Sequence, residues 1–175
     1  MFRLPPRSTQ SRSSAASDVY KRQSYHNGSI WPHDNAMIAV GLARYGLKSG
    51  VEKIMTGMFE VSLVLDFHRL PELFCGFVRR PGQGLTRYPV ACNPQAWAAG
   101  SAFMALQACL GLSIIASEQK VVFNYPILPE FIDKMQIKNL KVGTASVDLL
   151  LRRHDLDVGI TVIRRAGKVE VVSVK

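Results

Sequence analysis

The sequence of 175 residues has few cysteines: Cys75, Cys92 and Cys109 are the only three, and their spacing matches no metal-ligand pattern. An odd and unpatterned count fits a reduced compartment better than a disulfide framework, so we expect a cytoplasmic protein. His26 and His33 have no third ligand at a recognisable spacing, so we also expect no metal site.

Long apolar segments are missing as well. No uninterrupted apolar run reaches about 18 residues, the length that a membrane-spanning helix needs. The basic N-terminus lacks the apolar stretch and the small-residue cleavage site of a secretion signal. We therefore expect no membrane partner. The chain also has no glycine-rich phosphate loop and no serine nucleophile elbow, and we expect no cofactor.

The formal net charge of +9 would suit a nucleic-acid partner, but much of it comes from the first 23 residues. That segment has five basic residues against Asp18, a net of +4, which leaves +5 for the remainder. The other basic residues are scattered and do not follow one helix face. We therefore expect no nucleic-acid partner.

Residues 1–23 are rich in serine, arginine and proline and have no hydrophobic period, which predicts disorder. Over eleven consecutive positions, residues 13–23 resemble the in-frame translation of a transposon-based sequencing adapter. We exclude residues 1–23 from fold reasoning and expect the natural sequence to start near Ser24, in mid-domain. A natural disordered tail is the alternative, and it predicts the same structure.

Three segments of residues 24–111 predict helices. Residues 34–45 and 94–110 are apolar around most of the helix, and for residues 94–110 this predicts burial on nearly all sides. Residues 51–67 carry a single apolar stripe, which predicts an amphipathic helix between the other two. Apolar helices paired with an amphipathic one favour an inner and an outer layer.

Residues 112–175 change to short β-branched segments separated by glycine, asparagine, aspartate and proline. We interpret them as a small antiparallel sheet packed on the helices, with a hairpin turn at residues 165–168. The predicted fold is thus mainly α with a C-terminal antiparallel β segment. The predicted strands are residues 112–117, 120–125, 135–142, 145–152, 158–164 and 168–174.

Glu72 is the most informative carboxylate because it stands between Pro71 and Leu73 in an apolar and aromatic loop. Such surroundings predict a partly desolvated carboxyl with a raised pKa, which suits acid/base chemistry. A structural ion pair with Arg69 is an equally supported alternative.

Polar and aromatic loops lead into both apolar helices, at residues 26–33 and 69–93. In a two-layer helical ring, both loops would open on one mouth. Two aromatic side chains there, Tyr25 and Trp31, have the rings that stack on sugars, although the sequence alone favours core packing for each. Asp34 is favoured as a helix cap over a catalyst.

Three motifs stand in these loops and at the start of the third predicted helix. They read Tyr25-His-Asn-Gly-Ser-Ile-Trp-Pro-His-Asp-Asn-Ala, Arg69-Leu-Pro-Glu-Leu-Phe-Cys-Gly-Phe and Tyr88-Pro-Val-Ala-Cys-Asn-Pro-Gln-Ala-Trp-Ala-Ala-Gly. In this order they resemble the end of bacterial amylo-α-1,6-glucosidases, the glycogen-debranching-type enzymes. These proteins belong with the mannosylglycerate hydrolase-like, six-hairpin glycosidases. The resemblance covers roughly residues 24–165.

The resemblance implies that the chain is part of an (α/α)6 toroid and belongs to an inverting glycoside hydrolase of α-glucosides. It makes Glu72 the general base, and it places residues 28–32 at the sugar subsite nearest the cut. The substrate-binding residues that it implies are Tyr25, His26, Asn27, Gly28, Trp31, His33, Asp34 and Arg69.

Inversion needs a second carboxyl about 6.5–9.5 Å from the first. In the resembled family this acid lies upstream of the tryptophan motif, and neither Asp34 nor Asp66 occupies its place. We therefore expect a C-terminal fragment that requires the missing N-terminal part of its own chain. Its substrate would be an α-glucoside oligo- or polysaccharide, and the fragment would be inactive alone.

Two other functions stay open. The sheet from Leu112 onward could be a non-catalytic carbohydrate-binding or structural accessory module, with the helices as its scaffold. A basic nucleic-acid binder is the third hypothesis, and it requires a steep salt dependence of binding after removal of residues 1–23.

Overall fold

A computed structural model describes residues 25–26, 28–78, 84–155 and 157–175. The segment 1–23, expected to be disordered, lies outside the described residues, and so does Asn27. The helices are α1 (Pro32–Arg44), α2 (Lys48–Leu63) and α3 (Ala96–Leu110). The strands are β1 (Ser29–Ile30), β2 (Phe74–Cys75), β3 (Leu112–Ile115), β4 (Lys120–Asn124), β5 (Lys134–Val142), β6 (Ala145–Arg153), β7 (Val158–Ala166) and β8 (Glu170–Val174).

The prediction of a mainly α chain that forms part of an (α/α)6 toroid is wrong. The described residues combine three α-helices with eight strands in three sheets, so the fold is mixed. Helix α1 packs against both α2 and α3, and α2 also contacts α3, so the helices form one cluster. The six strands after Gly111 form two sheets, so strands make up too large a share of the described residues for a mainly α fold.

The expected single antiparallel sheet is instead two three-stranded sheets. Strands β5, β6 and β7 are antiparallel neighbours in that order. The other sheet has the order β3-β4-β8, in which β3 pairs with β4 antiparallel and β8 pairs with β4 parallel. The hairpin predicted at residues 165–168 does not form a β7–β8 pair, because the chain leaves the first sheet there and joins the second.

The larger hydrophobic core lies between these sheets. The central strand β6 buries Val147, Leu149 and Leu151 completely or nearly so, in the alternation expected for a strand with one face inward. Phe123 of β4 and Leu110 at the end of α3 join the same core. A smaller core of Ala39, Val51, Ala108 and Cys109 holds the helices together.

The C-terminal ends of α1 and α3 are each fixed by a left-handed glycine. Gly46 has φ of +73°, and its N–H donates to the carbonyl oxygen of Ala43, which ends α1. Gly111 ends α3 with φ of +55° and packs directly on the carbonyl group of Asn124. This contact connects the helices to strand β4.

Helix α3 has one buried side and one exposed side, although its sequence predicts burial all round. The indole of Trp97 is 66% exposed and the ring of Phe103 is 77% exposed. No residue of α3 is charged. The exposed side of α3 is therefore an apolar surface that no other described residue covers.

The three helices are short. Within the described ranges, none is both long and apolar enough to cross a membrane.

Gly111 and Gly57 provide a matched test of these packing constraints. We predict that Gly111→Ala lowers the free energy of unfolding by about 2 kcal/mol or more, because the added Cβ would lie 2.0 Å from the Asn124 carbonyl oxygen at a positive φ. Gly57→Ala, in an open part of α2, should instead raise it by about 0.5–1 kcal/mol. Urea denaturation measures both, and a Gly111→Ala variant as stable as wild type would contradict the account.

Candidate functional site

A two-residue β ladder joins the loop before α1 to the loop that contains Glu72. Strand β1 pairs antiparallel with β2, so that Ser29 faces Cys75 and Ile30 faces Phe74. The ladder is extended by the N–H of Gly76, which donates to the carbonyl oxygen of Gly28 at 2.9 Å. Two segments more than 40 residues apart in sequence are therefore held side by side.

Gly76 is required for this approach. A Cβ at that position would lie 2.0 Å from the Gly28 carbonyl oxygen, closer than any side chain permits. On the other side of the same segment, the N–H of Cys75 donates to the carbonyl oxygen of Thr86 at 3.0 Å, and Phe74 forms a β-bridge with Arg87. The Glu72 loop is thus held from both sides by backbone hydrogen bonds.

Glu72 is buried and its carboxylate accepts two hydrogen bonds. The hydroxyl of Tyr25 donates to Oε1. The backbone N–H of Cys92 donates to Oε2 at 3.1 Å, while the N–H of Glu72 itself donates to the carbonyl oxygen of Cys92 at 2.9 Å. Side chain and backbone of Glu72 are therefore both fixed.

These hydrogen bonds shift the pKa of Glu72 in the direction opposite to the predicted one. The Tyr25 hydroxyl, followed by the Cys92 N–H, holds the pKa of Glu72 below its ordinary value, although burial acts in the opposite direction. The prediction of a raised pKa is therefore wrong, because it counted desolvation and not the donors. The same contact raises the pKa of Tyr25 to about 12, so at neutral pH Tyr25 is a protonated donor and Glu72 an ionised acceptor.

Glu72 and Tyr25 lie at the edge of a group of rings, which we call the aromatic cluster. Tyr25 contacts Trp31 edge-to-face at 4.9 Å between ring centroids, and His26 stacks on Trp31 at 5.9 Å with an interplanar angle of 7°. The cluster consists of Tyr25, His26, Trp31, His33, Tyr88 and Trp97.

His33 connects Trp97 to the other rings of the cluster. Its ring contacts Trp31 at 5.5 Å and Trp97 at 5.0 Å. Its Nε2 lies 3.3 Å from Oδ1 of Asp34, whereas its Nδ1 is buried and has no hydrogen-bond partner among the described residues. The Asp34 carboxylate, in the first turn of α1, is therefore a partner of His33, and it makes no side-chain capping bond to the helix.

Arg69 is the predicted binding residue that the structure places apart from the cluster. Its guanidinium lies over the ring of Phe67, 5.5 Å from the centroid, and its side chain lines a groove of about 480 Å³ between α2 and α3. In the described part of the chain no ion pair joins Arg69 to Glu72, so the alternative of a structural pair between them is wrong.

Gly28 and Asn27 are the remaining predicted binding residues. Gly28 takes part through its backbone, at φ of +77°, and brings no side chain. Asn27 lies outside the described residues. No group of three histidine, cysteine, aspartate or glutamate side chains in the described ranges is arranged to hold a metal ion.

Sequence reasoning missed three contributors to the site, namely the N–H of Cys92 and the rings of Tyr88 and Trp97. The N–H of Cys92 was invisible because a sequence displays side chains and does not show which backbone donor faces a carboxylate. Trp97 was visible as an aromatic residue, but the apolar pattern of α3 assigned it to the core. Its place inside the motif that starts at Tyr88, at the first turn of α3, was the available indication.

The site as a whole offers a fixed, ionised carboxylate beside several aromatic rings. A carboxylate of lowered pKa accepts a proton or a hydrogen bond and does not serve as an acid near neutral pH. Aromatic faces provide flat apolar surface, and the ring polar groups provide a few directed contacts. This combination suits a polyhydroxylated ligand with apolar faces.

Removal of one hydroxyl tests the electrostatic account. We predict that Tyr25→Phe raises the pKa of Glu72 toward its ordinary value, because the main donor to Oε1 is lost. Since the folded pKa is depressed, the stabilisation is present above the unfolded value of about 4.3 and is lost as pH falls through the folded pKa. The variant should lose part of that pH-dependent stability.

The measurement is a carbon-detected NMR titration of the glutamate side chains, combined with urea denaturation at several pH values. Tyr45→Phe is the control, since Tyr45 is 85% exposed and lies in the turn after α1. An unchanged Glu72 titration in Tyr25→Phe would contradict the assigned hydrogen bond.

Comparisons with known proteins leave the family open. No protein-family model matches the chain, and a search of curated proteins finds no significant match. A function based on the resemblance of the three motifs is therefore a proposal.

Proposed function

We propose that this chain is the C-terminal part of a glycoside hydrolase that acts on α-glucosides with inversion, and that Glu72 is its general base. The observation that carries the proposal is the state of Glu72. Its carboxylate is buried, ionised and fixed by Tyr25 and Cys92 at the edge of the aromatic cluster.

A general base must be deprotonated when the substrate binds. The two donors to Glu72 favour the ionised form, which keeps a proton acceptor available near neutral pH. In an inverting reaction such a carboxylate takes a proton from a water molecule as its oxygen attacks the anomeric carbon. The glycosidic C–O bond breaks on the opposite face, and a second carboxyl group protonates the leaving oxygen.

The aromatic cluster supports a sugar as the ligand of this carboxylate. The rings of Trp31 and Tyr25 are held in place by their contact with each other. Both side chains are partly exposed, so they still offer surface to a ligand. Sugars present apolar C–H faces and a rim of hydroxyls, which match the rings and the carboxylate respectively. An α-glucoside oligo- or polysaccharide is the substrate class we propose.

The general acid is proposed to lie in an N-terminal part of the same protein that this chain lacks. Asp34 lies beside His33 with its side chain 58% exposed, and it does not occupy the place that the resembled family gives to the acid. The exposed ring of Phe103 on α3, which lies outside the aromatic cluster, supports a missing neighbour of the helices. We therefore propose that the fragment has no activity alone.

The cellular location is proposed to be the cytoplasm. The three cysteines support it, since Cys75, Cys92 and Cys109 are all free thiols in the structure and Cys75 and Cys109 are buried.

Glu72→Gln in the complete parent protein tests the proposal. The amide preserves shape but cannot accept the proton, so we expect kcat on α-linked glucosides to fall by about 10²–10⁴-fold, with sugar binding retained. Glu118→Gln, at an exposed 3-10 turn beside β4, is the matched control and should keep full turnover.

Near-wild-type turnover in Glu72→Gln would remove Glu72 from the reaction. A sugar bound on the sheets in an oligosaccharide soak, with none at Trp31, would instead favour the accessory-module alternative.

A further inference from the structure

Trp97 is the exposed end of the aromatic cluster. Its indole is 66% exposed, whereas Trp31 is only partly exposed between Tyr25, His26 and His33. The ring of His33 meets Trp97 at an interplanar angle of 71°, so the contact is edge-to-face. This geometry fixes the indole and leaves most of its surface open to solvent.

We propose that Trp97 is a binding platform for a second sugar residue, one position along an oligosaccharide whose reacting residue lies at Glu72 and Trp31. This inference rests on the function proposed for Glu72. It assigns a binding residue to the second sugar unit of the oligo- or polysaccharide proposed above, which a single glucose on a non-sugar group lacks.

Continuity of the rings supports this placement. Tyr25 binds Glu72 and touches Trp31, and His33 touches both Trp31 and Trp97. Each step between neighbouring ring centroids is 4.9–5.5 Å. A ligand that extends from the carboxylate along this row therefore meets Trp97 next.

The position of Trp97 on α3 supports it further. The neighbouring α3 residues Ala96, Ala99 and Gly100 are small and exposed, so no bulky side chain from the helix stands over the indole. A tryptophan held by a neighbour loses little side-chain entropy when a ligand stacks on it, which makes it an efficient anchor.

Phe103 provides a comparison for Trp97, because it is an exposed aromatic residue of α3 outside the aromatic cluster. It lies on the same helix and is more exposed, at 77%, but it makes no ring contact with the aromatic cluster. If the exposed side of α3 simply binds another polypeptide surface, Trp97 and Phe103 should behave alike. If Trp97 is a sugar platform, only Trp97 should affect saccharide turnover.

The experiment compares two substrates in the complete parent protein. One is α-glucosyl fluoride, which has a single sugar, and the other is an α-linked glucotrisaccharide that the wild type hydrolyses. For Trp97→Ala we expect KM for the trisaccharide to rise about tenfold, equivalent to about 1.4 kcal/mol, with kcat nearly unchanged. KM for the fluoride should change less than twofold, and Trp97→Phe should recover most of the loss.

Phe103→Ala is the matched control and should leave both KM values unchanged; circular dichroism checks the fold of each variant. An unchanged trisaccharide KM in Trp97→Ala, or an equal rise for both substrates, would overturn the platform while leaving the role of Glu72 standing. Equal effects of Trp97→Ala and Phe103→Ala would favour a protein-binding face and also overturn it. A wild-type protein that hydrolyses neither substrate would overturn both proposals.

Discussion

The hydrogen bonds on Glu72 are the constraint on which the site depends. They join three separate stretches of chain, because Tyr25 precedes α1, Glu72 lies after α2, and Cys92 precedes α3. Each of the three helices is thereby connected near one end to the same carboxylate. The β1–β2 ladder, which requires Gly76, holds two of these stretches in register beside it.

Two opposing effects act on that carboxylate. Burial penalises its charge, whereas donors on both oxygens favour it, and the donors prevail. The balance bears on the proposed role, because the donors favour the ionised form that a general base needs. The proposed role of Glu72 rests on these local contacts and not on the expected helical ring, which the mixed fold contradicts.

Local patterns in the sequence predicted the elements well, and nonlocal relations poorly. The helix expected at residues 51–67 ends at Leu63, and it could not have continued through Phe67 and His68, which both adopt positive φ. The pairing of β8 with β4 was not predictable from a turn at residues 165–168, because a hairpin sequence does not state which strand lies alongside. The partners of Glu72 are 47 and 20 residues away in sequence, so its surroundings suggested desolvation but not the donors. For α3, an apolar pattern predicts a buried surface and does not show whether the partner belongs to the same chain.

The stereochemistry of hydrolysis tests the central claim most directly. If Glu72 activates water in a single displacement, the complete parent protein must release β-glucose from an α-glucoside. Proton NMR of the anomeric signals in the first minutes of reaction, before mutarotation, measures this. Initial appearance of the β anomer is the predicted result, and initial appearance of the α anomer would contradict the assignment of Glu72 as a general base.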